Sequence, residues 1–391
     1  MKVIFAVLSA VVFLNADCRE GRSIHHKVGL PDAKQVVLID FDTEEILYNK
    51  DSEERCSPSS MTKLMTLYLL FSAIKNGCIK INDKFFVSKL AQGMEGSRSF
   101  LRAGTYVEVE DLIRSIIVHS GNDACVVVAE GLSGDSKRFV KEMNLKAAEF
   151  GLTNTHFTNP TGLSDKGHYS TVYDLAIIAR RLIEDFPEYY HYFSEKVFTI
   201  NGITQRNRNT LLGNSLNVDG LKTGHTNAGG FGLVSSTTRN GKRLISVVNG
   251  CSSEESRCIA SNNLLTIGYR EFANFRAVQA GIPIEKLKVW LGDKSEVSVC
   301  THEDVNVMIP RKFLNELKIE AKMKEPVSAP LSLGAKVGEL SYRYGKFVSK
   351  KYDLFTCQEV KKASFFESFK FLLNYFLFEF LHNIQEKEVT T

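Results

Sequence analysis

Apolar positions change period several times along the chain, and each change predicts an element. Val36-Val37-Leu38-Ile39-Asp40 and Ile46-Leu47-Tyr48 flank Asp42-Thr43-Glu44, which makes residues 35–48 a hairpin pattern. Leu64, Leu67, Tyr68, Phe71 and Ile74 then recur at helical spacing, and Asn76-Gly77 stops the run. A glycine-containing loop is expected over 93–104. Helical periodicity over 107–118 ends at His119-Ser120-Gly121-Asn122, and a second helix begins at Asp123-Ala124-Cys125-Val126. Asn159-Pro160-Thr161-Gly162-Leu163 predicts a loop, 171–183 a helix and 202–214 an irregular polar stretch. Residues 231–238 and 243–249 read as strands joined by an Asn240-Gly241 turn, with a helix over 262–272 closing the unit. Beyond residue 275, short alternating segments at 287–291, 296–300, 305–309, 317–323 and 336–342 predict a small all-β domain.

The two ends differ from this globular pattern. Lys2 precedes an apolar run over 3–14 with Ala16 just after it, a secretory signal pattern too short for a membrane span. Leu14 is large for a cleavage-site position, and Asp17 fits a lipid-attachment signal at Cys18 poorly. Residues 19–34 are a polar lead-in, where His25-His26 is read as incidental rather than as a metal site. At the other end, Phe365, Phe369, Leu372, Phe376 and Phe380 share one helical face over 364–384, while Glu367, Lys370 and Asn374 line the other. Charges interrupt the run, so it predicts an amphipathic helix lying on a membrane surface rather than crossing it.

Composition narrows the class. The chain has 391 residues, 43% hydrophobic and 24% charged, as expected of two globular domains with appendages. A net charge of +4 is too mild to imply nucleic acid. The eight cysteines show no C-x-x-C unit, so no zinc site is expected; Cys251 with Cys258 is the pair to check for a bridge.

The candidate chemistry sits at the start of the first predicted helix. Ser60 and Lys63 lie three apart on one face, the arrangement of a serine nucleophile with an amine base. Burial and the positive end of the helix dipole both lower a lysine pKa and so favour the neutral amine. A plain helix cap would account for the serine alone, but a capping box asks for Glu or Gln three residues on, not a cation. A second Ser-x-x-Lys at Ser72-Ala73-Ile74-Lys75 needs no function, because its lysine closes a helix where the dipole favours it. Ser120 and Asn122 lie on a tight turn between two apolar helices, and Lys222-Thr223-Gly224 lies on or beside a strand, where the glycine admits a second backbone.

Taken in order, Ser60-x-x-Lys63, Ser120-Gly121-Asn122 and Lys222-Thr223-Gly224 resemble the motif set of the penicillin-recognising serine acyltransferases. The surrounds Pro58-Ser59-Ser60-Met61-Thr62-Lys63-Leu64-Met65-Thr66 and Asp219-Gly220-Leu221-Lys222-Thr223-Gly224-His225-Thr226 resemble the low-molecular-mass penicillin-binding proteins of the D-alanyl-D-alanine carboxypeptidase type. So do Gly167-His168-Tyr169-Ser170-Thr171 and Asn207-Arg208-Asn209. Ala329-Pro330-Leu331 resembles the family's β-domain, and the tail its amphipathic anchor.

The resemblance implies an α+β fold: a penicillin-binding-protein/β-lactamase-like transpeptidase domain with helices on an antiparallel sheet, a small all-β domain and a C-terminal amphipathic helix. The implied boundaries are 1–16 for the signal, 30–273, 278–360 and 364–384. It further implies that Ser60 attacks the D-Ala-D-Ala carbonyl of a peptidoglycan stem pentapeptide and is acylated by β-lactam antibiotics. Lys63 is then the base, Ser120 a proton relay and Asn122 a support for Lys63 and the substrate amide. Lys222 and Thr223 would meet the terminal carboxylate with help from Arg257. Gly224 would make room for the peptide, and the N–H groups of Ser60 and His225 would form the oxyanion hole. No cofactor is implied; the implied location is periplasmic, on the outer face of the bacterial inner membrane. A β-lactamase shares the triple, but residues 159–174 hold no Glu-x-x-x-Asn element of the kind that speeds deacylation in class A enzymes. An endopeptidase cutting D,D cross-links would carry the same triple, and so would a membrane-tethered peptidoglycan-binding protein without catalysis.

Overall fold

The computed structural model describes residues 32–365 and 369, apart from 346 and 350. The signal (1–16), His25-His26 and nearly all of the amphipathic tail lie outside these residues. The chain divides into two compact units that meet in sequence between Glu271 and Phe272.

In the first unit, β1 (Gln35–Asp40) and β2 (Ile46–Lys50) form the expected hairpin. A 3₁₀ turn (Ser59–Thr62) leads into α1 (Lys63–Lys75), so Ser60 stands on the turn before the α-helix rather than in its first turn. The short strands β3 (Lys84–Phe86) and β4 (Tyr106–Glu108) pair with each other, with α2 (Lys89–Gln92) between them. Val107 therefore belongs to a strand, and α3 (Val109–Ile117) starts two residues later than the periodicity predicts. Then follow α4 (Asn122–Ser133), α5 (Ser136–Glu149) and α6 (Val172–Asp185). A β5 (Val197–Ile200)–β6 (Ile203–Arg206) hairpin precedes three long strands, β7 (Val218–Thr226), β8 (Gly230–Arg239) and β9 (Lys242–Cys251). The closing helix α7 spans Glu254–Glu271, longer at its start than the predicted 262–272. Its buried residues include Arg257 and Ser261, and these polar positions hide the apolar period.

The main sheet is antiparallel in the order β2-β1-β9-β8-β7. Strand alternation sends its two faces to different partners. Val37, Ile39, Ile245 and Val247 join the helical core with Met61, Leu64, Leu67 and Phe71 of the 3₁₀ turn and α1. Leu38 and Leu244 point the other way, and Gly268 of α7 approaches them so closely that a Cβ there would meet Leu244 Cδ1 at 2.6 Å. Helix α1 is buried on nearly all sides, with Lys63, Leu64, Met65, Thr66, Leu67, Tyr68, Leu70 and Phe71 all inaccessible. An ionisable group at the head of such a helix is held in one place in a dry setting.

The second unit is the expected all-β domain. It adds β10 (Phe272–Val278), β11 (Glu285–Trp290), β12 (Glu296–Cys300), β13 (Val305–Pro310), β14 (Lys318–Met323), β15 (Val327–Ser328), β16 (Lys336–Tyr344), β17 (Phe347–Val348) and β18 (Tyr352–Thr356). β10 pairs with β13, and the others form one sheet in the order β14-β16-β18-β12-β11-β15, with β17 on β16. Leu287, Val289, Val297, Val299 and Val360 form a core within it. Among the described residues no helix is long and apolar enough to cross a membrane.

Candidate active site

Lys63 is fully buried, and its Nζ has three partners: Ser60 Oγ at 2.9 Å, Asn122 Oδ1 at 2.8 Å and the Thr161 carbonyl at 2.5 Å. Two of these can only accept. The Asn122 amide is oriented by its Nδ2, which donates to the Glu95 carbonyl at 2.7 Å and so turns Oδ1 toward the lysine. A neutral amine has two N–H donors and one lone pair. Asn122 and Thr161 take both donors, and the lone pair is left facing the Ser60 hydroxyl, an arrangement in which the amine can accept the hydroxyl proton. Burial pushes the Lys63 pKa down to about 8, and the nearby Arg208 charge adds to the effect, so the neutral form is accessible near neutrality.

The loop carrying Thr161 is built to present that carbonyl. Asn159 Oδ1 accepts from Thr161 N (3.1 Å), Thr161 Oγ1 (2.8 Å) and Gly162 N (2.8 Å), and Thr66 of α1 donates to the Pro160 carbonyl at 2.7 Å. Gly162 has φ +80°, and a Cβ there would collide with the Ser59 carbonyl. His168 ties the same loop to the 3₁₀ turn that carries Ser60. Its Nδ1 accepts from Thr158 N–H at 3.1 Å, so Nε2 carries the proton and donates to Thr62 Oγ1 at 2.9 Å. Burial pushes the His168 pKa down to about 4, keeping this ring neutral.

Ser120 lies at φ +59° on the turn between α3 and α4, and its buried Oγ has no hydrogen-bond partner among the described residues. Asn122 is the first residue of α4, and its N–H donates to the Ser97 carbonyl at 2.7 Å. Asp123 accepts from Ser99 N and Leu101 N at 3.0 and 3.1 Å, fixing the 93–104 loop against the same helix end.

The third motif closes the site from the sheet edge. β7 is the outermost strand, and at Gly224 a Cβ would meet Pro58 O at 3.0 Å, Met61 Cγ at 3.1 Å and Ser59 Cβ at 3.2 Å. The glycine therefore admits the Ser59–Thr62 turn against the strand. Thr226 Oγ1 bonds Ser59 Oγ at 2.9 Å and accepts from Gly229 N at 3.0 Å, fastening the strand end to the residue before the nucleophile. Lys222 is buried, with a hydrogen bond from Nζ to the Thr223 carbonyl at 3.3 Å. Burial, followed by the Lys63 and Arg208 charges, holds its pKa well below the usual lysine range. His225 is exposed and stacks on Phe231 with centroids 3.9 Å apart. Arg257, also buried, lies over the same Phe231 ring at 5.9 Å and reaches the Arg208 carbonyl at 3.3 Å, with Glu254 3.9 Å away.

Ser60, Lys63 and Asn122 are thus linked directly, and Lys222 and Gly224 are brought to them. Ser120 adjoins Asn122 without a bond to Lys63 or Ser60. Sequence reasoning gives no part to the Thr161 carbonyl or to Glu95, and it names His168 and Arg208 only within family-like segments, without a role. Arg208 donates from Nη1 to Ser97 Oγ at 2.6 Å, and its charge acts on Lys63 and Lys222 alike. The Asn159-to-Gly162 turn signal marks the loop but not the carbonyl it presents. The cysteines at 251 and 258 are free thiols.

The sequence profile of the D-alanyl-D-alanine carboxypeptidases matches residues 25–253, and that of the penicillin-binding protein 5 C-terminal domain matches residues 272–362. The chain is 40% identical to the D-alanyl-D-alanine carboxypeptidase DacA of Haemophilus influenzae, over 86% of this chain and 88% of that protein. It is 39% identical to DacC of Escherichia coli, over 86% of each. The crystal structure of penicillin binding protein 5 from Haemophilus influenzae superposes with a TM-score of 0.79 at 38% identity, covering 85% of this chain and 98% of that one. With a profile match over more than half its length and relatives at this identity, the chain belongs to the D-alanyl-D-alanine carboxypeptidase family of penicillin-binding proteins.

Proposed function

We propose that this chain is a serine-type D-alanyl-D-alanine carboxypeptidase that removes the terminal D-alanine from peptidoglycan stem pentapeptides. The observation that carries the reading is the Lys63 amine, whose two acceptor partners leave its lone pair for Ser60. Ser60 Oγ attacks the carbonyl of the D-Ala-D-Ala bond as Lys63 takes its proton. The tetrahedral oxyanion is met by the backbone N–H groups of Ser60 and His225. Ser120, whose hydroxyl has no other partner among the described residues, passes the proton to the departing amine. D-Alanine leaves, and water then hydrolyses the Ser60 ester. A β-lactam opens on the same serine to give an acyl-enzyme.

Substrate polarity follows from charge. Lys222, Arg208 and Arg257 bring positive charge to one end of the cleft, and burial of Lys222 with no carboxylate paired to it among the described residues costs stability that an incoming carboxylate relieves. Thr223 donates to that carboxylate, and the open edge of β7 at Gly224 receives the extended peptide by strand pairing. Assay of free D-alanine from a stem pentapeptide, with and without penicillin, tests the reading: penicillin-sensitive release supports it, and no release contradicts it. Comparing monomeric with cross-linked stem peptides separates it from an endopeptidase.

The placement is exported and periplasmic, with residues 30–273 as the catalytic domain and 278–360 as the β-domain. The aromatic face of residues 364–384 attaches the chain to the outer face of the inner membrane. Phe365 and Phe369, the described members of that face, are 82% and 60% exposed. Truncation before Ser364 releases the protein from membranes on this reading; a truncated chain that still sediments with them contradicts it.

A further inference from the structure

The sheet of the second unit has a short seam at its centre. The β14–β16 ladder runs from Lys318↔Arg343 to Met323↔Gly338, whereas β12 and β18 pair only at Val299↔Thr356 and Cys300↔Phe355. Just past the end of β18, Cys357 N–H donates to the Ser298 carbonyl at 2.8 Å. Ser298 and Cys357 therefore stand opposite each other, and strand alternation puts Cys300 and Cys357 on the same face, one diagonal step apart. Cys300 is buried and Cys357 half-buried, and their sulfurs are within hydrogen-bonding reach.

We propose that Cys300 and Cys357 are a disulfide site, a covalent staple across the β12–β18 seam that forms once the chain meets a thiol oxidant. Diagonal neighbours are roughly 7–8 Å apart at Cα, so closure draws the seam in by about an ångström, within the reach of a relaxed bridge. The oxidant is a disulfide donor of the dithiol-oxidoreductase class. The Cys357 thiolate, on the more accessible side, attacks one donor sulfur and expels the other as a thiolate. Cys300, losing its proton, then attacks the Cys357 sulfur of the mixed disulfide and expels the donor's second thiol. Two protein thiols become one disulfide, and the donor leaves as a dithiol. Burial, and the hydrogen bond with Cys300, push the Cys357 thiol up to about 12, so little thiolate is present at neutral pH and exchange with the donor is slow there, rising with pH.

In the cell the inference rests on the exported placement proposed above for its oxidant; in solution it rests on the register alone. The full chain is incubated with oxidised glutathione, alkylated with iodoacetamide without reduction, and mapped by mass spectrometry. The expected product is a Cys300–Cys357 linked peptide lacking two hydrogens. The oxidised protein then has an unfolding midpoint for the second unit about 5 °C or more above that of the reduced protein. The difference vanishes in Cys300→Ser and in Cys357→Ser, while reduction of the unaltered chain gives the same comparison without a mutation. Alkylation of both thiols, linkage of either to another cysteine, or an unchanged midpoint overturns the proposal. Export is read separately by fractionating the penicillin-labelled chain, so failure of the pair and failure of the placement are distinct results.

Discussion

Asn122 Oδ1 faces Lys63 Nζ at 2.8 Å because the other end of the same amide is already committed to the Glu95 carbonyl at 2.7 Å. A neutral acceptor at that point takes an N–H from the lysine without favouring its cation as a carboxylate would. Asn122→Asp keeps the shape and adds the charge. The Lys63 cation is then stabilised, and the pH at which acylation by penicillin rises moves up by about one to three pH units. At pH 7 the acylation rate falls about 10- to 1000-fold and recovers at alkaline pH; an unmoved profile contradicts the role given to the amide.

The unaltered enzyme has its own pH signature. In the proposed mechanism acylation needs neutral Lys63, and its pKa of about 8 leaves the amine half neutral at that pH and roughly one-tenth neutral at pH 7. The second-order rate constant for acylation therefore climbs about tenfold per pH unit below pH 7 and levels off above about pH 9. A profile flat from pH 6 to 9 would place the proton acceptor elsewhere.

His168 predicts an acid limit on stability. Its pKa in the folded chain is about 4 against an ordinary 6.5, so the unfolded chain binds the extra proton between these values. Its contribution is whole above pH 6.5 and is lost as the pH falls toward 4, a change of up to ~3 kcal/mol. In His168→Gln, chemical denaturation at pH 7 and pH 4.5 should show a smaller loss on acidification than the parent shows.

Gly162→Ala places a Cβ against the Ser59 carbonyl at a left-handed backbone position. The loop must withdraw, and the Thr161 carbonyl goes with it. Expected are a stability loss of about 2 kcal/mol or more and a fall in acylation at every pH. A variant that acylates normally would remove the loop from the mechanism.

Lys222→Ala removes the buried cation facing the proposed carboxylate site. D-Alanine release from a pentapeptide should fall about 100-fold or more in kcat/KM. A pentapeptide with an amidated C-terminus should lose far less to the same substitution; equal losses for both peptides contradict carboxylate recognition by Lys222.

Much of this site is legible in the sequence because side chains carry it. Ser60 and Lys63 stand three residues apart where the 3₁₀ turn runs into α1, Ser120 and Asn122 lie two apart where the α3–α4 turn enters α4, and Lys222 and Gly224 share one strand, so local spacing suffices to find them. The illegible remainder is carried by backbone or by distance. The third partner of Lys63 is a carbonyl 98 residues away, which no residue type announces. Arg208 stands in a polar stretch with no period to mark it. The start of α7 is hidden because Arg257 and Ser261 are buried where apolar residues would have revealed the helix. β1 lies beside β9, a pairing across some 200 residues that the local hairpin pattern with β2 does not disclose.

Covalent capture at Ser60 is the central claim. Intact-protein and peptide mass spectrometry after exposure to penicillin, run in parallel on the unaltered chain and on Ser60→Ala, tests it most directly. The predicted result is one long-lived adduct on the peptide containing Ser60, absent from the variant. Rapid penicillin turnover with no adduct, or an adduct that persists in Ser60→Ala, would contradict it.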